Sequence, residues 1–394
     1  MRHILFLAHR VPDRPDRGDK IRAFHVLKYL ATRAHVHVVA FADTAYVNSA
    51  PPTTSLSVHP RRKSMLRAGG EALVSGRPVS LTAFDDASMR AQVAATLAKH
   101  PIQAIYVFSS QMAQYLPAST SARLVMDFVD VDSAKFAAYA EDGWGPKRWV
   151  HAREARLLLA HDDAVAARVD ASVFVSEAEA ALFRRSTGAE RVHAIENGID
   201  TDIFNPDADF ARISEQGPLV VFTGQMDYRP NIEAVRWLAE AIRPRLLARV
   251  PAARIAIVGR APTAEVLGRA GPNVIVTGEV ADVRGWLAVA DVVVAPLKLA
   301  RGVQNKVLEA MAMARPVVAS GAAAEGIDHG GTIRVGKDAA AIAREIAMLI
   351  ADPAAAAALG ASARARVVER YGWDARLASL DSLLGLANAP APGA

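Results

Sequence analysis

The stretch that most constrains the fold runs from Asp291 to Ser320. An apolar run, Asp291–Ala295, ends at Pro296 and is typical of a buried strand. From about Lys306 the residues are strong helix formers as far as Pro316, and the apolar residues after that proline predict another strand. A strand, a loop, a helix and a strand in this order predict a parallel α/β sheet. Such sheets bind ligands at the carboxyl ends of their strands, close to helix N-termini.

The loop and the first turns of this helix carry several polar groups. Lys306 adds a positive charge where a helix N-terminus already favours anions, and Glu309 follows one turn later. A solvated helix surface is the alternative interpretation of these two residues. The amides of Gln304 and Asn305 and the permissive backbone of Gly302 favour a binding site instead.

The segment Leu308–Ala319, with its sequence LEAMA followed by RPVVA, resembles the donor-site segment of the retaining family 4 glycosyltransferases, which have the GT-B architecture. It resembles more narrowly a bacterial subgroup associated with exopolysaccharide and exosortase (PEP-CTERM) systems. The resemblance implies that Glu309 contacts the ribose of a nucleotide. Arg301 stands where the family has a first Glu that contacts sugar hydroxyls, which favours either a sugar carboxylate or a phosphate as its partner.

The resemblance also implies a set of donor-binding residues. Many relatives have a Gly-Arg pair and a later Lys in the first loop of the C-terminal domain, but here Gln225 and Pro230 occupy those cationic positions. We therefore expect Arg229 to substitute in part, and Lys306, with Arg301, to supply most of the charge facing a diphosphate. Lys306, Glu309 and Arg301 are the predicted catalytic residues, and the predicted donor-binding residues are Gly224, Gln225, Arg229, Glu279, Val280, Gly302, Val303, Gln304 and Asn305.

The N-terminal half begins with a strand, a loop and a helix but lacks two nucleotide-binding motifs. Neither the dinucleotide fingerprint G-x-G-x-x-G nor a P-loop is present, which argues against NAD(P) binding and ATP hydrolysis. Gly18, Asp19 and Lys20 lie at a helix start, and Asp130 follows a strand; these four are the predicted acceptor-side residues. A helix-capping role for Asp19 is the alternative. Asp130-x-Asp132 resembles a metal-binding DxD motif only weakly, so no metal site is predicted.

Strands alternate with helices in both halves, which predicts two Rossmann-like, doubly wound domains. The resemblance implies that they face each other across a cleft, as in GT-B proteins. We expect an N-terminal acceptor-side domain over residues 1–205 and a C-terminal nucleotide-sugar-binding domain over 206–370. A helix over 371–387 is expected to return to the N-terminal domain, before a disordered tail at 388–394.

Composition narrows the classes of protein. The chain has 394 residues, 52% of them hydrophobic, which suits two globular domains, and it has no cysteine for a disulfide or a thiolate site. No apolar run reaches the roughly 20 residues that span a bilayer. The formal charge is +5, and basic clusters near residues 61–67 and 147–156, beside Trp144 and Trp149, suggest peripheral membrane contact, with a merely solvated surface as the alternative. We see no nucleic-acid-binding motif.

The resemblance implies a retaining glycosyltransferase that needs no cofactor and no metal. Its co-substrate would be a UDP- or GDP-linked sugar, and its acceptor a glycan or a polyprenyl-linked glycan in cell-surface or exopolysaccharide synthesis. The expected location is the cytoplasm, with contact at the inner face of the membrane. Two alternatives remain: a GT-B epimerase or phosphorylase, and a non-catalytic protein that binds sugar nucleotides or glycans.

Overall fold

A computed structural model describes residues 1–13, 18–42, 50–141, 144–300 and 303–386. The chain forms two compact units. The N-terminal unit contains Met1–Asn197 and the stretch that begins at Arg376, and the C-terminal unit is Gly198–Ala375. The sequence analysis placed these two boundaries at 205/206 and 370/371, a few residues away from the structural ones.

The N-terminal unit is built on a seven-stranded parallel sheet in the order β3-β2-β1-β4-β5-β6-β7. The strand order reverses direction between β1 and β4, the position at which sheets of this kind open a crevice. The strands are β1 (His3–Ala8), β2 (His35–Ala42), β3 (Ser55–Pro60), β4 (Ile102–Phe108), β5 (Arg123–Val129), β6 (Ala171–Phe174) and β7 (Val192–Ala194).

Helices cover the faces of this sheet because its strands are apolar on both sides. They are α1 (Gly18–Ala31), α2 (Met65–Ser75), α3 (Val79–Thr82), α4 (Ala87–Lys99), α5 (Asp132–Glu141), α6 (Gly145–Arg168) and α7 (Glu177–Thr187), with a 3₁₀ helix at Ser110–Tyr115. The C-terminal stretch adds an ion pair between Arg376 and Glu196. Arg123 of β5 donates to the carbonyl of Ser382, so this stretch belongs to the N-terminal unit.

One part of the N-terminal unit was missed by the sequence analysis. Residues 45–80 are rich in Pro, Ser and Thr, and the sequence analysis assigned no strand or helix to them, yet β3 and α2 lie within this range. Among the described strands β3 is an edge strand paired with β2, and it has no fully buried residue, so it lacks the apolar run of the inner strands. The buried side of α2 consists of two alanines, Ala68 and Ala72, which give little apolar periodicity.

A buried ion pair joins α1 to β5. Arg22 Nε donates to Asp127 Oδ2 at 2.8 Å, and the side chains of both residues are almost entirely inaccessible to solvent. Tyr106 on β4 donates its hydroxyl to the same carboxylate. Arg22 also donates to the carbonyl of Ile195 and to Asn197 Oδ1, both at the end of the N-terminal unit. Asn197 of the NGID sequence therefore accepts a structural hydrogen bond.

The C-terminal unit has a six-stranded parallel sheet in the order β10-β9-β8-β11-β12-β13. The direction reverses between β8 and β11, so the two units repeat one topology. The strands are β8 (Leu219–Thr223), β9 (Arg254–Val258), β10 (Val274–Val276), β11 (Val292–Ala295), β12 (Val317–Ser320) and β13 (Arg334–Gly336).

The helices of this unit include one that is interrupted just before Pro244. A π-helical turn, Leu238–Ile242, separates α8 (Arg229–Trp237) from α9 (Arg243–Leu247), because the proline removes a backbone donor. The others are α10 (Ala264–Leu267), α11 (Arg284–Val289), α12 (Asn305–Ala312), α13 (Gly321–Ala324), α14 (Ala339–Ala351) and α15 (Pro353–Tyr371).

The last predicted helix is two short helices, α16 (Trp373–Leu377) and α17 (Ser379–Leu383). The predicted tail at 388–394 lies outside the described residues. Over the part of the chain that the structure describes, no single helix is long and apolar enough to cross a bilayer. α14 and α15 reach that hydropathy only together, and the chain bends by 108° between them.

Candidate active site in the C-terminal unit

A cavity of about 460 Å³ lies at the carboxyl ends of β8 and β9, beside the reversal of strand order in the C-terminal sheet. The N-terminal end of α12, the next helix after β11, borders it through Gln304, Lys306 and Glu309. The lining residues are Thr223, Gly224, Gln225, Tyr228, Asn231, Val258, Gly259, Arg260, Glu279, Val280, Val283, Gln304, Lys306 and Glu309. The site is thus where the topology of a doubly wound sheet favours ligand binding.

Two glycines bring the backbones of the β8 and β9 loops together. A Cβ atom on Gly259 would lie 1.7 Å from the carbonyl oxygen of Gly224, and Gly259 has a φ of +150° that other residues rarely adopt. Gly224 itself has no room for a side chain, since a Cβ there would lie 2.8 Å from Asn231 Nδ2 and 3.0 Å from Lys306 Nζ. The glycines therefore allow the amide and the ammonium to lie directly against the loop backbone.

Lys306 is held by a neutral partner. Its Nζ donates to Asn231 Oδ1 at 2.6 Å and lies 4.4 Å from the centre of the Phe222 ring. Asn231 is fixed in turn, because its Nδ2 donates to the carbonyl of Gln225 at 2.8 Å. Desolvation lowers the pKa of Lys306 to about 8, although Glu309 acts in the opposite direction. This ammonium lines the cavity, and no carboxylate of the described residues is bonded to it, so an anionic ligand would stabilise it.

Glu309 lines the same cavity one helical turn after Lys306. Desolvation raises the pKa of its half-buried carboxyl, and the charge of Lys306 partly offsets that rise. A carboxyl group beside a cavity is a good acceptor for sugar hydroxyls. The pair can therefore contact a phosphate and a hydroxyl group of one ligand.

Arg260 is a cavity residue that the sequence analysis missed. It follows β9 and Gly259, and its guanidinium donates to Gln225 Oε1 at 2.9 Å. Gln225 occupies the position at which relatives were expected to have an arginine. The signal was present in the sequence as Gly-Arg directly after a predicted strand, the same pattern that the resemblance assigns to the preceding loop.

Most of the predicted donor-binding residues come together at the cavity. Gly224, Gln225, Glu279, Val280 and Gln304 line it, together with the predicted catalytic residues Lys306 and Glu309.

Three other predicted donor-binding residues do not line the cavity. Arg229 is 88% exposed and pairs with Glu233 at 3.0 Å, because it lies in the outer first turn of α8. Asn305, the first residue of α12, is exposed, and Val303 packs partly against the apolar core. Arg301 and Gly302 lie outside the described residues.

The predicted acceptor-side residues belong to the N-terminal unit. α1 begins at Gly18 and Asp19, and Lys20 forms an ion pair with Asp13 at 2.8 Å. Asp130 follows β5, and desolvation, then the carboxylates of Glu179 and Asp132, raise its pKa.

Comparisons with known proteins show similarity to glycosyltransferases. Residues 217–352 match the family described as "Glycosyl transferases group 1". A GDP-mannose-dependent alpha-(1-6)-phosphatidylinositol monomannoside mannosyltransferase of Mycolicibacterium smegmatis is 33% identical over 240 residues. That alignment covers 55% of this chain and 62% of the relative, so this chain matches less than two thirds of that protein.

Solved structures are similar over nearly the whole chain. HepE of Anabaena, solved in complex with UDP and glucose, is 18% identical with a TM-score of 0.54, and the match covers 97% of this chain and 99% of that one. A glycosyltransferase from Rickettsia africae is 12% identical with a TM-score of 0.59, covering 98% and 99%. At these identities the likeness concerns the fold. Both units have the Rossmann-like architecture of GT-B glycosyltransferase structures, and the C-terminal unit contains the stretch that matches the group 1 glycosyl transferases.

Proposed function

We propose that this protein is a glycosyltransferase that moves a sugar from a nucleotide-diphosphate sugar to a glycan or lipid-linked acceptor. The observation that carries the proposal is the cavity of the C-terminal unit, in which Lys306 is bonded to the neutral Asn231 and faces the same space as Arg260 and Glu309. Cations without a bonded carboxylate suit a diphosphate. A leaving diphosphate gains negative charge in the transition state, which these groups would stabilise.

We propose GDP-mannose as the first donor to test. The support is the mannosyltransferase relative, whose name states its dependence on GDP-mannose. UDP-glucose is the natural comparison, because HepE was solved with UDP and glucose. Glu309 would contact the ribose, Lys306 and Arg260 the diphosphate, and the backbone beside Glu279 and Val280 the base.

We also propose the finer assignments that the sequence suggested. Transfer would retain the anomeric configuration. The leaving phosphate of the donor would act as the base that accepts the acceptor's proton, so no nucleophile need come from the protein. The reaction would proceed without a bound metal, and the biological setting would be exopolysaccharide synthesis of the exosortase-associated family 4 type. Arg301 would bind a phosphate or a sugar carboxylate; an Arg301→Glu variant with unchanged activity and donor choice would refute that role.

The activity test is turnover with GDP-mannose, UDP-glucose and other nucleotide sugars, with a polyprenyl-linked glycan acceptor and with EDTA present. We expect one donor to be consumed with release of its nucleoside diphosphate and formation of an α-linked product from an α-linked donor. A protein that binds the nucleotide but forms no product with any acceptor would instead be a binding protein. Product with inverted configuration would refute the retaining mechanism alone.

A surface of the N-terminal unit supports an acceptor embedded in a membrane. Helix α2 has its larger apolar side chains on the outside: Leu66 is 91% exposed and Val74 is 92% exposed, and Met65 and Leu73 are exposed beside them. Its buried side consists of alanines. An amphipathic helix normally buries its large apolar residues, so this outward stripe suits an apolar partner.

The first turns of α6 extend this stripe. Trp144 is 88% exposed and Trp149 is 58% exposed. Arg153, one turn after Trp149, donates to the carbonyl of Ala72 at 2.7 Å, so α6 lies beside α2. Together Met65, Leu66, Leu73, Val74, Trp144 and Trp149 form what we call the apolar stripe.

Basic residues lie close in sequence to the apolar stripe. Arg62, Lys147 and Arg148 are exposed next to it, whereas Lys63 and Arg67 pair with Glu71. Tryptophans and leucines flanked by basic residues are typical of helices that lie in the interface of an anionic bilayer. We therefore propose that the stripe contacts the membrane that holds the acceptor, on its cytoplasmic side.

Vesicle co-sedimentation tests this contact. We expect binding to vesicles that contain phosphatidylglycerol, weaker binding to pure phosphatidylcholine, and loss of binding in a Leu66→Glu, Val74→Glu double variant. Leu267→Glu, an exposed leucine of the C-terminal unit, is the matched control and should bind as the wild type does. Equal binding by wild type and double variant would refute the proposal. A dimer in light scattering that the double variant abolishes would assign the stripe to a second copy of the chain.

A further inference from the structure

Four of the 11 histidines in this chain gather at one edge of the N-terminal sheet. They are His3 at the start of β1, His35 and His37 at the start of β2, and His100 between α4 and β4. This is the amino-terminal edge of the strands, opposite the edge where ligands of such sheets bind. The cluster therefore lies at the edge of the sheet away from the one where a donor or acceptor site of this fold is expected.

Three of these rings have nitrogen atoms close to one another. One ring nitrogen from each of His3, His37 and His100 lies within 4.8 Å of the other two. His3 Nδ1 and His37 Nε2 are 3.0 Å apart, and the rings of His37 and His100 have centroids 4.0 Å apart. Ligand nitrogens around a tetrahedral ion with bonds of about 2.0–2.1 Å are separated by roughly 3.3 Å, so the three nitrogens are close enough to share one ion once the rings of His37 and His100, now stacked at 22°, have rotated.

The surroundings suit neutral imidazole ligands. His37 Nδ1 lies 2.8 Å from the hydroxyl of Ser55, and donation to that oxygen leaves Nε2 as an acceptor that faces His3 Nδ1. An outer hydrogen bond of this kind fixes the tautomer of a metal-binding histidine. His37 itself is buried.

We propose that His3, His37 and His100 form a binding site for a late divalent transition-metal ion, with zinc as the preferred class. Imidazole nitrogens suit zinc, whereas magnesium and calcium require oxygen ligands. Each ring gives one lone pair to the ion. The hydrogen that His3 Nδ1 shares with His37 Nε2 moves to His3 Nε2, a change of tautomer with no net release of protons. Water or His35, whose ring centroid is 4.9 Å from that of His3, completes the coordination.

The ligands come from the starts of two adjacent strands and from the α4–β4 connection, three segments far apart in the sequence. An ion at this point would therefore tie these segments together in the folded protein. The expected role is structural, since binding to the folded state alone raises its stability.

The experiment is isothermal titration with zinc chloride of the full chain, purified without a polyhistidine tag and stripped with EDTA. We expect one zinc per chain, a higher melting temperature with zinc, and the visible absorption bands of a tetrahedral ion when cobalt replaces zinc. His3→Gln and His100→Gln should each weaken zinc binding at least tenfold. His59→Gln is the matched control, because His59 lies on β3 of the same sheet and contacts Ser88.

Melting in EDTA checks that the variants fold, since both substituted rings are only half-buried. Absence of stoichiometric zinc binding in the wild type would overturn the proposal. Zinc binding that His3→Gln and His100→Gln leave unchanged would also overturn it, and would place the ion elsewhere in the chain.

Discussion

Arg22 in the N-terminal unit and Lys306 in the C-terminal unit are both basic residues in the first turn or two of a helix over a parallel sheet. Arg22 is fully buried and is bonded to the carboxylate of Asp127. Lys306 is half-buried, borders a cavity and is bonded to the neutral Asn231. A cation bonded to a carboxylate inside the protein is already neutralised, so its role is structural. A cation bonded to a neutral amide beside a cavity still favours an anionic ligand.

The largest effect is expected on stability, from a change to the buried pair of Arg22 and Asp127. Asp127→Ala removes the partner of a buried guanidinium and should lower the free energy of unfolding by roughly 3–5 kcal/mol. Chemical denaturation monitored by circular dichroism measures this loss. Asp132→Ala, which breaks an exposed i,i+3 pair with Lys135, is the control and should cost less than about 1 kcal/mol. Similar losses in both variants would contradict the role assigned to the Arg22–Asp127 pair.

Lys306→Met tests the proposed role of Lys306 as the cation that faces an anionic ligand. Loss of the ammonium should lower turnover by on the order of 100-fold or more, because charge on the leaving diphosphate would lose a stabilising group. The melting temperature should change little, since the substitution removes a desolvated charge. Arg229→Ala provides the control: this exposed arginine does not line the cavity, so its variant should keep nearly full activity. Equal losses of turnover in the two variants would indicate that Arg229 also contacts the diphosphate.

Asp162 provides a third case, a buried ionisable group without an opposite charge. Its carboxyl accepts a hydrogen bond from Ser110 and has no cation bonded to it among the described residues. Desolvation raises its pKa to about 7, well above the value of an unfolded aspartate. The folded protein therefore holds this proton more tightly, and stability should fall as pH rises from about 4 to about 7. Asp162→Asn should remove this fall and gain roughly 2–4 kcal/mol above pH 7. Parallel stability–pH curves for the two proteins would contradict this account.

Gly224→Ala is expected to have the smallest effect of the four. The new methyl group would lie 3.0 Å from Lys306 Nζ and 2.8 Å from Asn231 Nδ2, so both side chains must move. Overpacking of this kind costs roughly 1–3 kcal/mol, and the lower end of that range corresponds to about fivefold to tenfold weaker nucleotide binding. Gly278→Ala, where a Cβ would meet no atom within 4 Å, is a control for a general glycine effect, although its φ of +70° adds backbone strain. Unchanged nucleotide affinity in Gly224→Ala would show that nucleotide binding does not depend on the present position of the Lys306 ammonium.

The sequence predicted the inner strands, the paired units and the lysine and glutamate of the cavity, because each depends on local patterns. Apolar strand runs and the helix formers after Lys306 carry that information within a few residues. Contacts between distant segments were not predictable: nothing near Arg22 in the chain indicates Asp127, and nothing near Lys306 indicates Asn231. Arg260 was missed because its loop did not match the expected motif, and Arg229 was chosen by adjacency although α8 directs it to solvent.

The most direct test of the central claim is calorimetric titration of GDP into the wild type and Lys306→Met at pH 7 and pH 9. Because the pKa of Lys306 is about 8, most of the ammonium is lost between pH 7 and pH 9, and the wild type should bind GDP up to about tenfold more weakly at pH 9. Lys306→Met should bind weakly at both values and show little pH dependence. Equal GDP affinity in both proteins at pH 7 would contradict the claim that Lys306 is the cation of a nucleotide-diphosphate site.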